Sequence, residues 1–94
     1  MKEIEVFYLT GCPYCHNARR AVEELKTADP RFTSLPLRWI EESRERELAD
    51  SRDYYYVPTM YIDGVKQYEC APGQNYEVIR ENIRRVFERA LSEN

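Results

Sequence analysis

The chain has 94 residues, 43% hydrophobic and 33% charged, and a net charge of −3. That supports one compact core over residues 1–94 and is too apolar for a disordered chain. An acidic balance, with the arginines of the last third interleaved with glutamates, excludes a nucleic-acid footprint, and no apolar run approaches membrane-spanning length.

The chain opens with Met1-Lys2-Glu3-Ile4-Glu5, acidic where a secretory leader needs an apolar stretch, so a cytoplasmic location without membrane contact is expected. Residues 3–9 read as a strand through the run Ile4-Glu5-Val6-Phe7-Tyr8-Leu9. Directly after it comes Cys12-Pro13-Tyr14-Cys15, and then apolar residues at helical spacing, Ala18, Ala21, Val22 and Leu25, which predict a helix over 13–28. Two thiols three residues apart at a helix N-terminus suit thiol–disulfide exchange. The thiolate is the reactive form of cysteine, and the unpaired N–H groups and positive dipole end of a helix stabilise it. Pro13 fits the first turn, where its missing N–H costs no internal hydrogen bond. Cys15 shares a face with Ala18, Val22 and Leu25 and should point to the core, leaving Cys12 at the tip: Cys12 attacks and Cys15 resolves.

Ala28-Asp29-Pro30 reads as a helix stop, and Leu35, Leu37 and Trp39 alternate in a second strand over 35–40. A short, highly charged helix is expected over 43–53, resting on Leu48 and Ala49. Val57-Pro58 precedes a strand at 59–62, and Asp63-Gly64 joins it to another at 65–70 as a type I′ hairpin. Pro72-Gly73 breaks that strand. Asn75 caps a last helix with the stripe Tyr76, Ile79, Ile83, Val86, Phe87 and Ala90. The order is βαβαββα, an α/β domain whose parallel βαβ unit and antiparallel hairpin form a four-stranded mixed sheet with helices on both faces.

Cys12-Pro13-Tyr14-Cys15 and Val57-Pro58, in this order of elements, resemble a glutaredoxin of the thioredoxin superfamily. The resemblance implies the thioredoxin fold, a Cys12–Cys15 redox-active disulfide, and a role in electron transport and cell redox homeostasis. It implies a cis bond before Pro58, with Pro58 facing the cysteines at the substrate site and Val57 pairing through its backbone with a bound peptide or glutathione; Tyr14, within the turn between the two cysteines, is expected to touch substrate. Protein disulfides or glutathionylated proteins would be the substrates, glutathione the co-substrate, and the chain a monomer without bound cofactor. Three positions differ from the family pattern: Leu9 stands where a lysine is common, Tyr56 where a threonine is usual, and no Gly-Gly occurs near Glu69-Cys70-Ala71-Pro72-Gly73. The reductant is therefore open between glutathione and a thioredoxin reductase.

Other residues carry two readings each. His16 could favour the Cys12 thiolate or point sideways to solvent. Cys70 could be a third redox thiol or a small buried hydrophobe. Tyr54-Tyr55-Tyr56 could wall a substrate groove or anchor the core edge. The alternative function is metal or iron–sulfur cluster binding with Cys12, and glutathione, as ligands. Only Cys70 and His16 remain to complete a zinc site, at no standard spacing, so no residue is assigned to a metal.

Overall fold

A computed structural model describes residues 2–92; the two ends of the expected 1–94 domain lie outside the described residues. Strand β1 (Ile4–Tyr8) sits inside the sheet and buries apolar side chains on both faces, Ile4 and Val6 on one and Phe7 on the other. It pairs in parallel with β2 (Leu37–Glu41) and antiparallel with β3 (Thr59–Ile62), which pairs antiparallel with β4 (Val65–Glu69). The strand order is β2-β1-β3-β4. The Asp63-Gly64 link of the last pair has positive φ at both residues, 55° and 79°, as a type I′ turn requires.

Period-two alternation divides the core. Ile4, Val6, Met60 and Ile62 face helices α1 (Pro13–Ala28) and α4 (Tyr76–Ser92), whose buried stripes include Ala18, Val22, Leu25, Ile79, Ile83 and Phe87. Phe7, Ile40 and Tyr61 face the other way, against Ala49 and Leu48 of the short helix α3 (Arg46–Asp50). Helices therefore cover both faces of a mixed sheet, in the order predicted with one turn added.

That turn is α2 (Pro30–Thr33), where a simple helix stop was expected. Asp29 ends α1 and then accepts from the Arg31 N–H at 3.0 Å, so the stop of one helix is the cap of the next. Its purpose is to bury Phe32, whose ring meets Phe87 edge-on at 5.2 Å. The detour absorbs Leu35 as a core residue outside β2, so the strand begins at Leu37 rather than at 35. Helix α3 is shorter than the 43–53 expected because Glu41 fastens the preceding turn, accepting from the Ser43 N–H at 2.7 Å and its hydroxyl at 2.8 Å. At the other end the Asn75 side chain accepts from the Val78 N–H at 3.0 Å and caps α4. No helix among the described residues is long and apolar enough to cross a membrane.

Candidate functional site

Cys12 is delivered by a tight turn. Gly11, at φ +84°, occupies backbone space that L side chains rarely adopt, and it lets the chain leave β1 and enter α1 within a few residues. Cys12 is then the N-cap, extended at φ −80° and ψ 122°, with Pro13 in the first turn. Its sulfur takes the place of the usual capping oxygen and accepts from the Cys15 N–H at 3.4 Å. A negative charge on Cys12 Sγ would thus sit on an N–H donor and at the positive end of a 16-residue helix. Its thiol points at the Val57 carbonyl oxygen, 3.9 Å away. Cys12 is half-buried and reachable from solvent; all three cysteines are free thiols.

Cys15 lies one turn in, on the face of Ala18 and Val22, and is 6% exposed. Burial is the main influence pushing its thiol up to about 12; a backbone hydrogen bond with Leu9 acts the other way, and neighbouring Cys12 adds to the rise. One sulfur therefore sits on a backbone N–H donor at the helix tip, and the other where burial penalises its charge.

The Val57-Pro58 bond is cis, with Pro58 buried. The Pro58 carbonyl accepts from the Cys70 N–H at 3.0 Å, which seats the end of β4 against the same turn. Cys70 is buried. Desolvation raises its thiol, Tyr68 opposes this, and Cys12 contributes to the rise. The tyrosine run divides: Tyr54 packs against Phe7 at 5.4 Å and donates to Glu42 at 3.0 Å, so it is a core-edge anchor. Tyr55 and Tyr56 are 93% and 51% exposed. Glu69 accepts from their backbone N–H groups at 2.7 and 2.8 Å and thereby fastens the approach to Val57. Tyr14, expected to touch substrate, has its hydroxyl engaged by the Gly73 N–H at 2.7 Å and ties the first turn of α1 to the loop before α4.

His16 is exposed and borders the same hollow of about 330 Å³ as Tyr8, Leu9, Thr10, Gly11, Cys12 and Arg19. Arg19 was not singled out in the sequence. Its guanidinium lies 4.0 Å from the Trp39 ring centre and 5.3 Å from that of Tyr8. No local pattern announces this contact, because Trp39 belongs to β2 and reaches α1 only through the βαβ crossover. Among the described residues no three His, Cys, Asp or Glu side chains converge on a metal position.

An accessible sulfur at a helix N-terminus, a buried second thiol one turn away and the cis-proline turn beside them can carry out stepwise disulfide exchange. The family model described as Glutaredoxin matches residues 4–66, from β1 through the cis-proline turn and into β4. Among solved structures, thioredoxin 1 from the thermophilic eubacterium Thermosipho africanus TCF52B is similar at a TM-score of 0.56 and 18% identity, covering 94% of this chain and 97% of its own. That likeness shows a thioredoxin fold. No curated protein matches the chain.

Proposed function

The chain belongs to the glutaredoxin family of redox oxidoreductases, and from that premise we propose that it is a dithiol–disulfide oxidoreductase working through Cys12 and Cys15. The observation that carries the reading is the asymmetry of the two thiols: Cys12 Sγ accepts from the Cys15 N–H at 3.4 Å at the helix tip, while Cys15 is 6% exposed.

The Cys12 thiolate attacks one sulfur of a substrate disulfide, and the other leaves as a thiolate that takes a proton from water. A mixed disulfide now joins Cys12 to substrate. Cys15 loses its proton and attacks Cys12 Sγ, releasing the reduced substrate and leaving a Cys12–Cys15 disulfide. Two electrons have passed to the substrate, and an external thiol reductant restores the pair. Forming the mixed disulfide removes any negative charge on Cys12, one of the influences holding the Cys15 thiol up, so the resolving thiol becomes easier to ionise when it is needed. Val57, whose carbonyl the Cys12 thiol faces, would align an extended substrate through its backbone, and the proposed exchange uses no bound cofactor.

Protein disulfides and glutathionylated proteins are the proposed substrates, with the chain acting as a monomer in the reducing cytoplasm. The reductant is glutathione or a thioredoxin reductase. The test compares wild type, Cys12→Ser and Cys15→Ser on a glutathione mixed disulfide and on a protein disulfide, with each electron source. Cys12→Ser should lose both reactions, and Cys15→Ser should keep at most the glutathione-dependent one. Activity retained in Cys12→Ser would refute the assignment.

A further inference from the structure

Arg19 stands out among the basic residues near Cys12. Its neighbour on the helix, Arg20, is within 3.7 Å of Glu24, and Arg38 and Arg52 likewise sit on carboxylates. Arg19 has no carboxylate within ion-pair distance among the described residues, yet its guanidinium is held in place over Trp39 at 4.0 Å. Stacking fixes the plane while leaving the N–H edge open, which is the arrangement that receives a carboxylate at low entropic cost. Arg19 lines the hollow of about 330 Å³ that Cys12 and His16 also line. Glu41, which accepts from the lining residue Thr10 at 3.4 Å, is already engaged by Ser43 at 2.7 and 2.8 Å.

We propose that Arg19 is a specificity residue that receives a carboxylate of the disulfide substrate, carried by an acidic side chain about three residues from the cysteine under attack. The proposal rests on the exchange reading for Cys12. Its spacing has an upper bound from helix geometry: seven residues at 1.5 Å put the Arg19 backbone about 10 Å along α1 from Cys12, with its side chain leaning back toward the helix N-terminus. An extended substrate covers that distance in about three residues at 3.3 Å each. Glutathione carries its carboxylates about six and about eight bonds from its sulfur, so only its γ-glutamyl end, fully extended, comes near that distance, whereas a protein segment reaches it with an acidic side chain three residues away. An acidic protein segment is therefore the favoured source.

The test uses the full chain and synthetic peptide disulfides with Glu or Gln three residues before or after the cysteine, beside the neutral 2-hydroxyethyl disulfide and a glutathione mixed disulfide. Wild type should reduce a Glu peptide about three- to fivefold faster than its Gln partner at low salt, the range expected of a partly exposed ion pair. Arg19→Gln should erase that ratio, Arg19→Glu should invert it, and Arg19→Lys should keep part of it. The neutral and glutathione disulfides should react within about twofold of wild type in all three variants. A Glu preference that survives in Arg19→Gln, or a loss confined to glutathione, overturns the proposal.

A second readout needs no exchange chemistry. Trp39 is the only tryptophan of the chain, so its fluorescence reports on the group stacked above it. S-methylated Glu peptides should bind more tightly than Gln peptides to wild type, and equally to Arg19→Gln. Failure of wild type to reduce the neutral disulfide would sink the exchange reading alone. The fluorescence titration would still decide for or against Arg19.

Discussion

The Cys12 sulfur lies 3.9 Å from the carbonyl oxygen of Val57, although 45 positions separate them in the chain. Antiparallel pairing explains the meeting. Phe7 near the end of β1 is opposite Thr59 at the start of β3, so the segments just beyond those two ends emerge on the same edge of the sheet. The parallel partner β2 then fixes where α1 must return, and the helix N-terminus that follows β1 is turned toward the cis-proline turn. The site is a consequence of strand order before it is a consequence of side-chain chemistry.

The first prediction concerns selective alkylation. With the Cys15 thiol pushed up to about 12, its thiolate fraction at pH 8 is about one in ten thousand, and Cys70 is both buried and shifted in the same direction. Iodoacetamide at pH 8 should therefore modify Cys12 alone in the folded reduced protein and all three cysteines in denaturant. Peptide mapping by mass spectrometry reads the outcome; prompt labelling of Cys15 in the folded chain would contradict the asymmetry.

Alkaline stability carries the second. Burial raises the Cys15 thiol from 9.0 to about 12, so between those values the unfolded chain has lost a proton that the folded chain still holds. The unfolded state binds fewer protons there, and stability falls as pH rises. Cys70, Tyr54 and Tyr61 are raised mainly by burial and steepen the same fall. Urea melts should show the reduced protein losing stability progressively above about pH 9, with a shallower slope in Cys15→Ala and in the oxidised form, which lacks the Cys15 titration. Equal slopes in all three would remove Cys15 as the cause.

Glu69 supplies the third. Burial alone would raise its carboxyl, but Lys66 and the N–H groups of Tyr55 and Tyr56 together hold it below its ordinary 4.5. Its contribution is present above the unfolded value and lost as pH falls through the lower folded one. Glu69→Gln should cost about 1–2 kcal/mol and speed hydrogen exchange at Tyr55 and Tyr56 at neutral pH, since the neutral amide accepts more weakly than the carboxylate. Unchanged exchange at both amides would show that Glu69 does not hold this loop.

Tyr14→Phe is the fourth. Removing the hydroxyl leaves the Gly73 N–H without its partner at 2.7 Å, in an exposed loop where water can replace it. The cost should be about 0.5–1 kcal/mol, with faster exchange of the Gly73 amide and little change in the rest of α4. No loss of stability and unchanged exchange at Gly73 would mean that Tyr14 is held by its packing against the core alone.

Local chemistry made most of the fold legible. Asp63-Gly64 carries its turn type in its own backbone preferences, and the stripe from Tyr76 to Ala90 carries its buried face in its spacing. Cys12 and Cys15 were readable as a tip thiol and a buried thiol because both positions follow from one helix start. The turn at Pro30–Thr33 was hidden, since Asp29-Pro30 both ends one helix and starts another, and only the distant Phe87 ring decides between them. The grip of Glu69 on Tyr55 and Tyr56 and the seat of Arg19 on Trp39 were hidden for the same reason. Each joins elements far apart in the chain through contacts that leave no periodic trace.

The most direct test of the central claim is to trap the mixed disulfide. Cys15→Ser is mixed with a protein disulfide, quenched in acid and mapped by mass spectrometry without reduction. One covalent complex, joined through Cys12, should accumulate because no resolving thiol follows. A complex joined through Cys70, or an equal yield in Cys12→Ser, would contradict it.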